Sequence, residues 1–133
     1  MNKSDLRRQV AELFIIRASG FNLDSQRLYP DLEVSNANLK RLLESGVGGV
    51  IFLGGTVKEL EIRCKTLKKW AGKPLLLCAD IEEGTGQRFY GGTQFVPPMG
   101  IAQIYKKDHN EGIAIAEKIG YLTGKEAKHI GLN

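Results

Sequence analysis

Residues 74–95 read PLLLCADIEEGTGQRFYGGTQF, an apolar run that ends in a carboxylate and continues into a glycine-rich loop. The run from Pro74 to Ala79 has the length of a buried strand, and Asp80 follows it directly. The loop then brings a second charged side chain, Arg88, back to the same end of the strand. Functional groups of parallel α/β folds collect where strands end, so Asp80 and Arg88 are candidates for a binding site, with a helix-capping or loop-closing role as the alternative for Asp80.

Two more apolar runs precede this segment and predict two more strands, at Leu13–Ile16 and Val50–Leu53. Because all three runs are apolar throughout, we expect strands buried on both faces, in a parallel sheet covered by helices. Helical spacing and capping residues predict four helices, which begin near Ser4, after Ser35, at the capping box of Thr56 and Glu59, and after Asp108.

The segments that follow the third strand differ from an ordinary α/β unit. The connection from Ile81 to Pro98 is longer than the usual loop of about 4–6 residues, which favours a functional role. The last helix carries small or apolar residues on one side, which predicts a face that lies close on a sheet. That face consists of Ile113, Ala116, Gly120 and Ala127.

Composition limits the classes of protein that need consideration. The chain has 133 residues, 42% of them hydrophobic and 26% charged, as expected of one ordinary globular domain. The net charge of +4 is scattered and lacks interleaved aromatic residues, so we expect no nucleic-acid partner. No apolar run approaches the ~20 residues that span a bilayer, and the amino terminus lacks a signal peptide, so we expect a cytoplasmic protein without membrane contact. Cys64 and Cys78 lack metal-binding spacing and are predicted to be small buried side chains.

The segment around Asp80 resembles the opening part of glycoside hydrolase family three. In that family a strand ends in Asp-x-Glu-Gly-Gly, and Gln-Arg follows shortly after. Here the motif positions are filled without a gap by Asp80, Glu82, Gly84, Gln87 and Arg88, while Glu83 stands where the family more often has Gly. The resemblance extends to residues 46–53, 93–100 and 126–133, and so covers nearly the whole chain.

The resemblance implies that residues 1–133 are the N-terminal portion of a (β/α)₈ barrel. Such a barrel needs roughly 250 residues, so about half of it would be present. Asp80 is then expected to accept hydrogen bonds from sugar hydroxyls, and Arg88 to reach the same sugar while pairing with Glu82 or Glu83. Glu82 and Gly84 are expected to support the loop, the first through backbone donors and the second through backbone freedom.

The activity implied by the resemblance is retaining hydrolysis of terminal β-linked sugars through a covalent intermediate on an Asp nucleophile. The shorter bacterial members favour β-N-acetylhexosaminidase, with β-glucosidase as the alternative. The family's nucleophile, acid/base His and Lys-His pair lie in later strands and loops. We therefore assign no catalytic residue, metal or cofactor here, expect a saccharide as the only partner, and expect the 133 residues alone to be inactive. The oligomeric state stays open.

Two interpretations that assign the chain to a different class of protein remain open. Gly54 and Gly55 follow a strand and open a helix at Thr56, so a flavodoxin-like module could bind phosphate or a nucleotide there, although the P-loop lysine is missing. A non-catalytic remnant of the enzyme is the second alternative. Glu126 and His129 have the spacing of a di-metal pair, but a second pair is absent, and both His109 and His129 are expected on the surface.

Overall fold

Three parallel strands form the main sheet of the computed structural model, which describes residues 2–133. A separate pair of two-residue parallel strands lies beside it. The strands are β1 (Ile15–Ala18), β2 (Gly49–Phe52), β3 (Gly55–Thr56), β4 (Leu76–Cys78) and β5 (Phe89–Tyr90). The helices are α1 (Lys3–Glu12), α2 (Asn36–Glu44), α3 (Val57–Ala71), α4 (Pro98–Lys107) and α5 (His109–His129), with short 3₁₀ turns at Asp24–Gln26 and Thr85–Gln87.

The strand order of the main sheet decides between the two α/β architectures. The order is β1-β2-β4, so each strand pairs with the next long strand along the chain, in the register Ile15 to Gly49 to Leu76. A flavodoxin-like sheet would place its first strand between the next two, whereas a barrel winds in one direction. The α/β class with parallel strands is therefore confirmed, in the arrangement of a partial TIM-type domain.

The core lies between the sheet and the helices α2 and α3. Val50, Phe52 and Leu77 of the sheet are fully buried, and they meet buried leucines of both helices. Burying each such side chain stabilises the fold by about 1.5–3 kcal/mol. The buried apolar residues of these helices are Leu39 and Leu43 on α2, and Leu60, Cys64 and Leu67 on α3.

Local signals in the sequence account for the ends of these two helices. The Ser35 side chain accepts a hydrogen bond from the Asn38 N–H at 3.4 Å, which caps α2 as predicted. Gly72 ends α3 with φ of +62°, the left-handed conformation in which glycine carries no penalty.

The first strand departs from the prediction. It begins two residues later than expected, at Ile15, because Leu13 caps α1 instead of entering the sheet. Leu13 and Phe14 are 83% and 57% exposed, and Ile15 is also exposed. Burial on both faces was therefore a wrong expectation for β1, and also for β4, where Leu76 is exposed, because both strands lie at the edges of the sheet.

The carboxyl-terminal part of the chain forms a helical hairpin. α4 was not predicted, and it packs against α5 so closely that a Cβ on Gly112 would lie 2.5 Å from the Tyr105 Cα. Most of the predicted small-residue face does not lie on the sheet, since Ile113, Ala116 and Gly120 are exposed, whereas Ala127 packs against the core. The reason is that α5 packs against α4 and the loop after β4.

The last residue of the chain covers the outer edge of β4. The Asn133 side chain accepts a hydrogen bond from the Leu77 N–H at 2.9 Å and donates one to the Leu75 carbonyl at 3.0 Å. An apolar groove of about 660 Å³ lies beside it, between β4 and α5.

Candidate functional site

The structure brings together the two predicted binding residues at the carboxyl end of β4. Asp80 lies two residues after the strand, and Arg88 follows the 3₁₀ turn of Thr85–Gln87. The Arg88 Nε donates a hydrogen bond to the Asp80 carbonyl oxygen at 3.2 Å, and its Nη2 lies 3.6 Å from the Asp80 Oδ2. A carboxylate and a guanidinium thus stand side by side at the end of the sheet where parallel α/β folds place their ligands.

The Asp80 carboxylate remains available to a ligand. Its side chain is 51% exposed, and no donor in residues 2–133 makes a hydrogen bond to it. The separation of 3.6 Å from Arg88 exceeds a hydrogen-bond distance, and exposed ion pairs of this kind contribute only about 0–1 kcal/mol. Both carboxylate oxygens can therefore accept hydrogen bonds from hydroxyl groups.

The backbone around Arg88 is fixed on both sides. The Arg88 N–H donates to the Thr85 carbonyl at 3.2 Å, which closes the 3₁₀ turn. The next residue, Phe89, is completely buried and pairs with Gly55 in the small sheet. The long loop predicted after β4 is therefore ordered by one turn and one strand pair.

Gly84 allows the two arms of the loop to meet. Its φ is +89°, a conformation that L side chains rarely adopt, and its position is buried. A Cβ there would lie 2.5 Å from the Thr93 carbonyl oxygen and 2.8 Å from the Phe95 ring. Both backbone conformation and space restrict this position to glycine.

The acidic residues beside Gly84 behave differently from the expectation. Glu82 is exposed and makes no hydrogen bond within residues 2–133, so its loop-supporting role rests on the sequence alone. Arg88 pairs with Asp80 and with neither Glu82 nor Glu83. Glu83 joins the loop through its backbone, because its N–H donates to the Gln87 Oε1 at 3.1 Å and its carbonyl accepts from the Phe95 N–H at 2.7 Å.

A carboxylate that the sequence did not reveal holds the loop from outside. Glu126, in the last turn of α5, accepts a hydrogen bond from the Thr85 hydroxyl through Oε2. Its two oxygens also accept from the Thr93 N–H at 3.1 Å and from the Thr93 hydroxyl at 3.1 Å. The sequence singled out Glu126 only for its spacing to His129, and its position at the negative end of a helix dipole, where anions are unfavourable, is the one signal that fits a contact outside the helix.

The environment of Glu126 favours its ionised form. Burial by itself would raise the pKa of this carboxyl, but the hydrogen bonds from Thr85 and Thr93, with the nearby His129, outweigh burial and lower the pKa below its ordinary value of 4.5. Glu126 therefore carries its charge at neutral pH.

A small cavity of about 130 Å³ adjoins Arg88. It lies between the loop after β1 and the loop after β4, so it opens at the same end of the sheet as Asp80. The side chains that line it are those of Leu28, Tyr29, Leu53, Gln87, Arg88 and Tyr90.

The alternative phosphate site at the start of α3 is already filled by the protein. The Thr56 Oγ1 donates to the Glu59 Oε2 at 2.9 Å and accepts from the Glu59 N–H at 3.2 Å. The carboxylate bonds to the threonine hydroxyl and not to a backbone donor, which modifies the predicted capping box. An anionic ligand would meet this negative charge, and Gly54 and Gly55 are buried.

The histidine and cysteine candidates from the sequence do not form a metal site within the described residues. The described residues contain no group of three or more His, Cys, Asp or Glu side chains able to hold a metal ion. His129 is exposed, and His109 lies edge-on to the Tyr105 ring at 4.4 Å. Burial raises the pKa of the Cys64 thiol to about 11. None of the helices between residues 2 and 133 has the length and apolar character needed to cross a membrane.

The fold is that of an α/β domain with parallel strands, consistent with part of a TIM-type barrel, and the Asp80–Arg88 pair lies at the carboxyl end of its strands. A family model described as "Glycosyl hydrolase family 3 N terminal domain" matches residues 5–133. The chain therefore belongs to this family, and the resemblance seen around Asp80 is confirmed.

Curated relatives carry the name "Beta-hexosaminidase". The protein of Tolumonas auensis is 39% identical over 83 residues, which cover 60% of this chain and 24% of the relative. The protein of Vibrio cholerae is 34% identical over 97 residues, 71% of this chain and 28% of the relative. The protein of Hydrogenovibrio crunogenus is 28% identical over 98 residues, again 71% and 28%. The matched part of this chain thus spans about a quarter of the length of each relative.

Proposed function

We propose that this chain forms the sugar-recognising N-terminal part of a glycoside hydrolase that cleaves O-glycosyl bonds, of the β-N-acetylhexosaminidase type. The family match and the names of the relatives support this reaction class. The observation that carries the proposal is the exposed, unbonded Asp80 carboxylate held beside Arg88 at the end of β4.

In this proposal Asp80 and Arg88 bind the terminal sugar from one side. Each hydrogen bond from a sugar hydroxyl to the ionised Asp80 contributes about 1.5–3 kcal/mol. Arg88 has five N–H donors, of which one is used on the Asp80 carbonyl, so others can reach a ring oxygen or a hydroxyl. The pair therefore fixes the position and orientation of the sugar.

Bond cleavage in a retaining enzyme uses two carboxyl groups about 5–5.5 Å apart, or their equivalents, on opposite sides of the glycosidic bond. We propose that those groups lie outside the 133 residues and that this chain contributes binding. Binding energy at the non-reacting hydroxyls then orients the sugar for the reaction.

Amide hydrogen exchange with and without sugar tests this function on the chain itself. N-Acetylglucosamine should slow exchange in peptides that cover residues 79–91, with a Kd on the order of 1–10 mM if two charge-assisted hydrogen bonds form. Asp80→Ala should abolish the protection. Asp31→Ala is the matched control, because Asp31 is exposed and makes no hydrogen bond or ion pair within the described residues.

Glucose distinguishes the two enzyme types within the family. Stronger protection by glucose than by N-acetylglucosamine would favour the β-glucosidase alternative. Equal protection in the unmodified chain and in the Asp80→Ala variant would contradict the proposed role of Asp80.

A further inference from the structure

The loop that carries Arg88 is attached to α5 at a single carboxylate. Three donors converge on Glu126: the hydroxyl of Thr85, the hydroxyl of Thr93 and the N–H of Thr93. These partners lie 41 and 33 residues away in sequence, so the contact joins two elements that local structure does not hold together.

Glu126 is connected to the binding pair, Arg88 and Asp80, by a series of hydrogen bonds that passes through Thr85. The Thr85 hydroxyl is bound by Glu126, while the Thr85 carbonyl accepts the Arg88 N–H at 3.2 Å. Arg88 in turn donates to the Asp80 carbonyl. A displacement of Thr85 would therefore move the backbone from which the Arg88 side chain extends.

Thr93 attaches the second arm of the same loop. Its carbonyl accepts the Gly86 N–H at 2.8 Å, so the two arms are joined to each other as well as to Glu126. The arms also touch closely, since a Cβ on Gly92 would lie 2.5 Å from the Thr85 Oγ1. One carboxylate thus binds both arms at the place where they cross.

The chemistry of the contact requires an acceptor. All three partner groups donate here, and the Thr93 N–H can only donate; an ionised carboxylate accepts from all three at once, whereas a glutamine amide has a single acceptor oxygen. A carboxylate in the last turn of a helix is unfavourable for the helix itself. The position of Glu126 is therefore explained by its contact with the loop and not by helix stability.

We propose that Glu126 is a positioning residue, which holds the loop of residues 81–95 so that Arg88 and Asp80 stand together for sugar binding. This proposal rests on the proposed function for its sugar-binding consequence. The attachment of the loop itself is independent of that function.

Amide hydrogen exchange of the full 133-residue chain tests both parts. In Glu126→Ala, exchange at Gly86, Thr93 and Phe95 should become at least about tenfold faster, because charge-assisted bonds to both arms are lost. Exchange in β2 and β4 should stay unchanged. Glu126→Gln, which keeps one acceptor oxygen, should give a smaller acceleration.

Glu117→Gln is the matched control, since Glu117 is an exposed carboxylate on the same helix without a hydrogen bond or ion pair among the described residues. It should exchange like the unmodified chain. The Kd for N-acetylglucosamine should rise at least about tenfold in Glu126→Ala and remain unchanged in Glu117→Gln.

The outcomes separate this inference from the proposed function. Unchanged exchange of the loop in Glu126→Ala, or an equal acceleration throughout the sheet, would overturn the positioning role. Faster loop exchange with an unchanged sugar Kd would overturn it as well. Failure of the unmodified chain to bind N-acetylglucosamine would contradict the proposed function, and the loop exchange would then still decide whether Glu126 positions the loop. If Glu126→Ala does not fold, Glu126→Gln supplies the same comparison.

Discussion

Asp80 and Glu126 are two carboxylates to which we assign different roles. We propose that Asp80 binds the sugar and that Glu126 holds the loop in place. The Asp80 carboxylate is exposed and accepts no hydrogen bond among the described residues, so its two oxygens are available to a ligand. Glu126 accepts from three protein donors, so its oxygens are occupied. The difference follows from position, because Asp80 ends a strand at the rim and Glu126 faces the back of the loop.

The charge of Glu126 predicts a pH-dependent contribution to stability. Its pKa in the folded chain lies below the ordinary 4.5, so the contribution is fully present above pH 4.5 and is lost as the pH falls through the lowered pKa. The free energy of unfolding should therefore exceed that of Glu126→Gln most clearly near neutral pH, and the difference should shrink in acid. Urea unfolding of both proteins between about pH 3 and 7 measures it.

Glu117→Gln serves as control in the same series and should unfold within about 0.5 kcal/mol of the unmodified chain at neutral pH. A Glu126→Gln difference that grows in acid would contradict the assignment of three donors to this carboxylate.

Substitutions at Gly84 and Gly91 distinguish the energetic cost of backbone strain from that of a steric clash. Both have positive φ, +89° and +87°, but a Cβ on Gly91 would meet nothing within 4 Å. Gly91→Ala should therefore cost only the conformational penalty of about 1 kcal/mol, whereas Gly84→Ala should cost clearly more, because its Cβ would collide with the Thr93 carbonyl. Equal losses in urea unfolding would show that the loop relaxes around the added methyl group.

At the residue scale, the sequence predicted contacts between residues that lie within one short motif. Asp80 and Arg88 are eight residues apart within one motif, so a strand end followed by a turn suffices to place them together. Glu126 was missed because its partners become neighbours only when α5 packs against the loop. Arg88 was predicted to pair with Glu82 or Glu83, but the 3₁₀ turn carries it back to Asp80 instead.

At the scale of elements, glycine positions distinguish the buried and exposed parts of α5. Gly112 lies where α4 crosses, and a Cβ added there would lie 2.5 Å from the Tyr105 Cα, whereas Gly120 faces open space. Gly112→Ala should destabilise the chain by about 1–3 kcal/mol through overpacking. Gly120→Ala should stabilise it by about 0.5–1 kcal/mol, because alanine loses less entropy in a helix.

Thermal or urea unfolding of the two variants checks this pair directly. Stabilisation by both substitutions would contradict the close packing of α4 on α5, and destabilisation by both would contradict the exposure of Gly120.

Helices with strong caps were predicted best among the elements. Ser35 and Thr56 cap α2 and α3 as expected, because capping uses residues within one turn. Strand positions were less certain, since an apolar run does not say which of its residues enters the ladder. β1 starts at Ile15 for that reason, and α4 was missed because the prolines at its start, Pro97 and Pro98, were assigned to the long loop.

At the scale of the whole molecule, the strand order distinguishes a TIM-type arrangement from a flavodoxin-like one. The singly wound order β1-β2-β4 was implied by the family resemblance, whereas periodicity alone left the flavodoxin-like order open. The exposure of Phe14 before β1 and of Ile15 within it was not foreseen, because a run of apolar residues indicates burial only for strands inside a sheet.

We expect the 133-residue chain alone not to hydrolyse nitrophenyl N-acetyl-β-glucosaminide. The resemblance places the nucleophile and the acid/base group in strands and loops that have no counterpart in these residues. The release of nitrophenol by purified protein, compared with a heat-inactivated sample, measures this. Turnover above that control, in protein free of host hexosaminidase, would contradict the proposal that this chain contributes sugar binding and that the catalytic groups lie outside the 133 residues.

The role of Asp80 is tested most directly in a completed enzyme, made by joining this chain to the following part of the Tolumonas auensis relative. Asp80→Ala should lower kcat/KM for the nitrophenyl substrate at least ~10²-fold, since two charge-assisted hydrogen bonds of about 1.5 kcal/mol each are lost. The melting temperature should change little, because the exposed ion pair with Arg88 contributes little to stability. A near-normal kcat/KM, with a lowered melting temperature, would contradict the account and make Asp80 a structural residue of the loop.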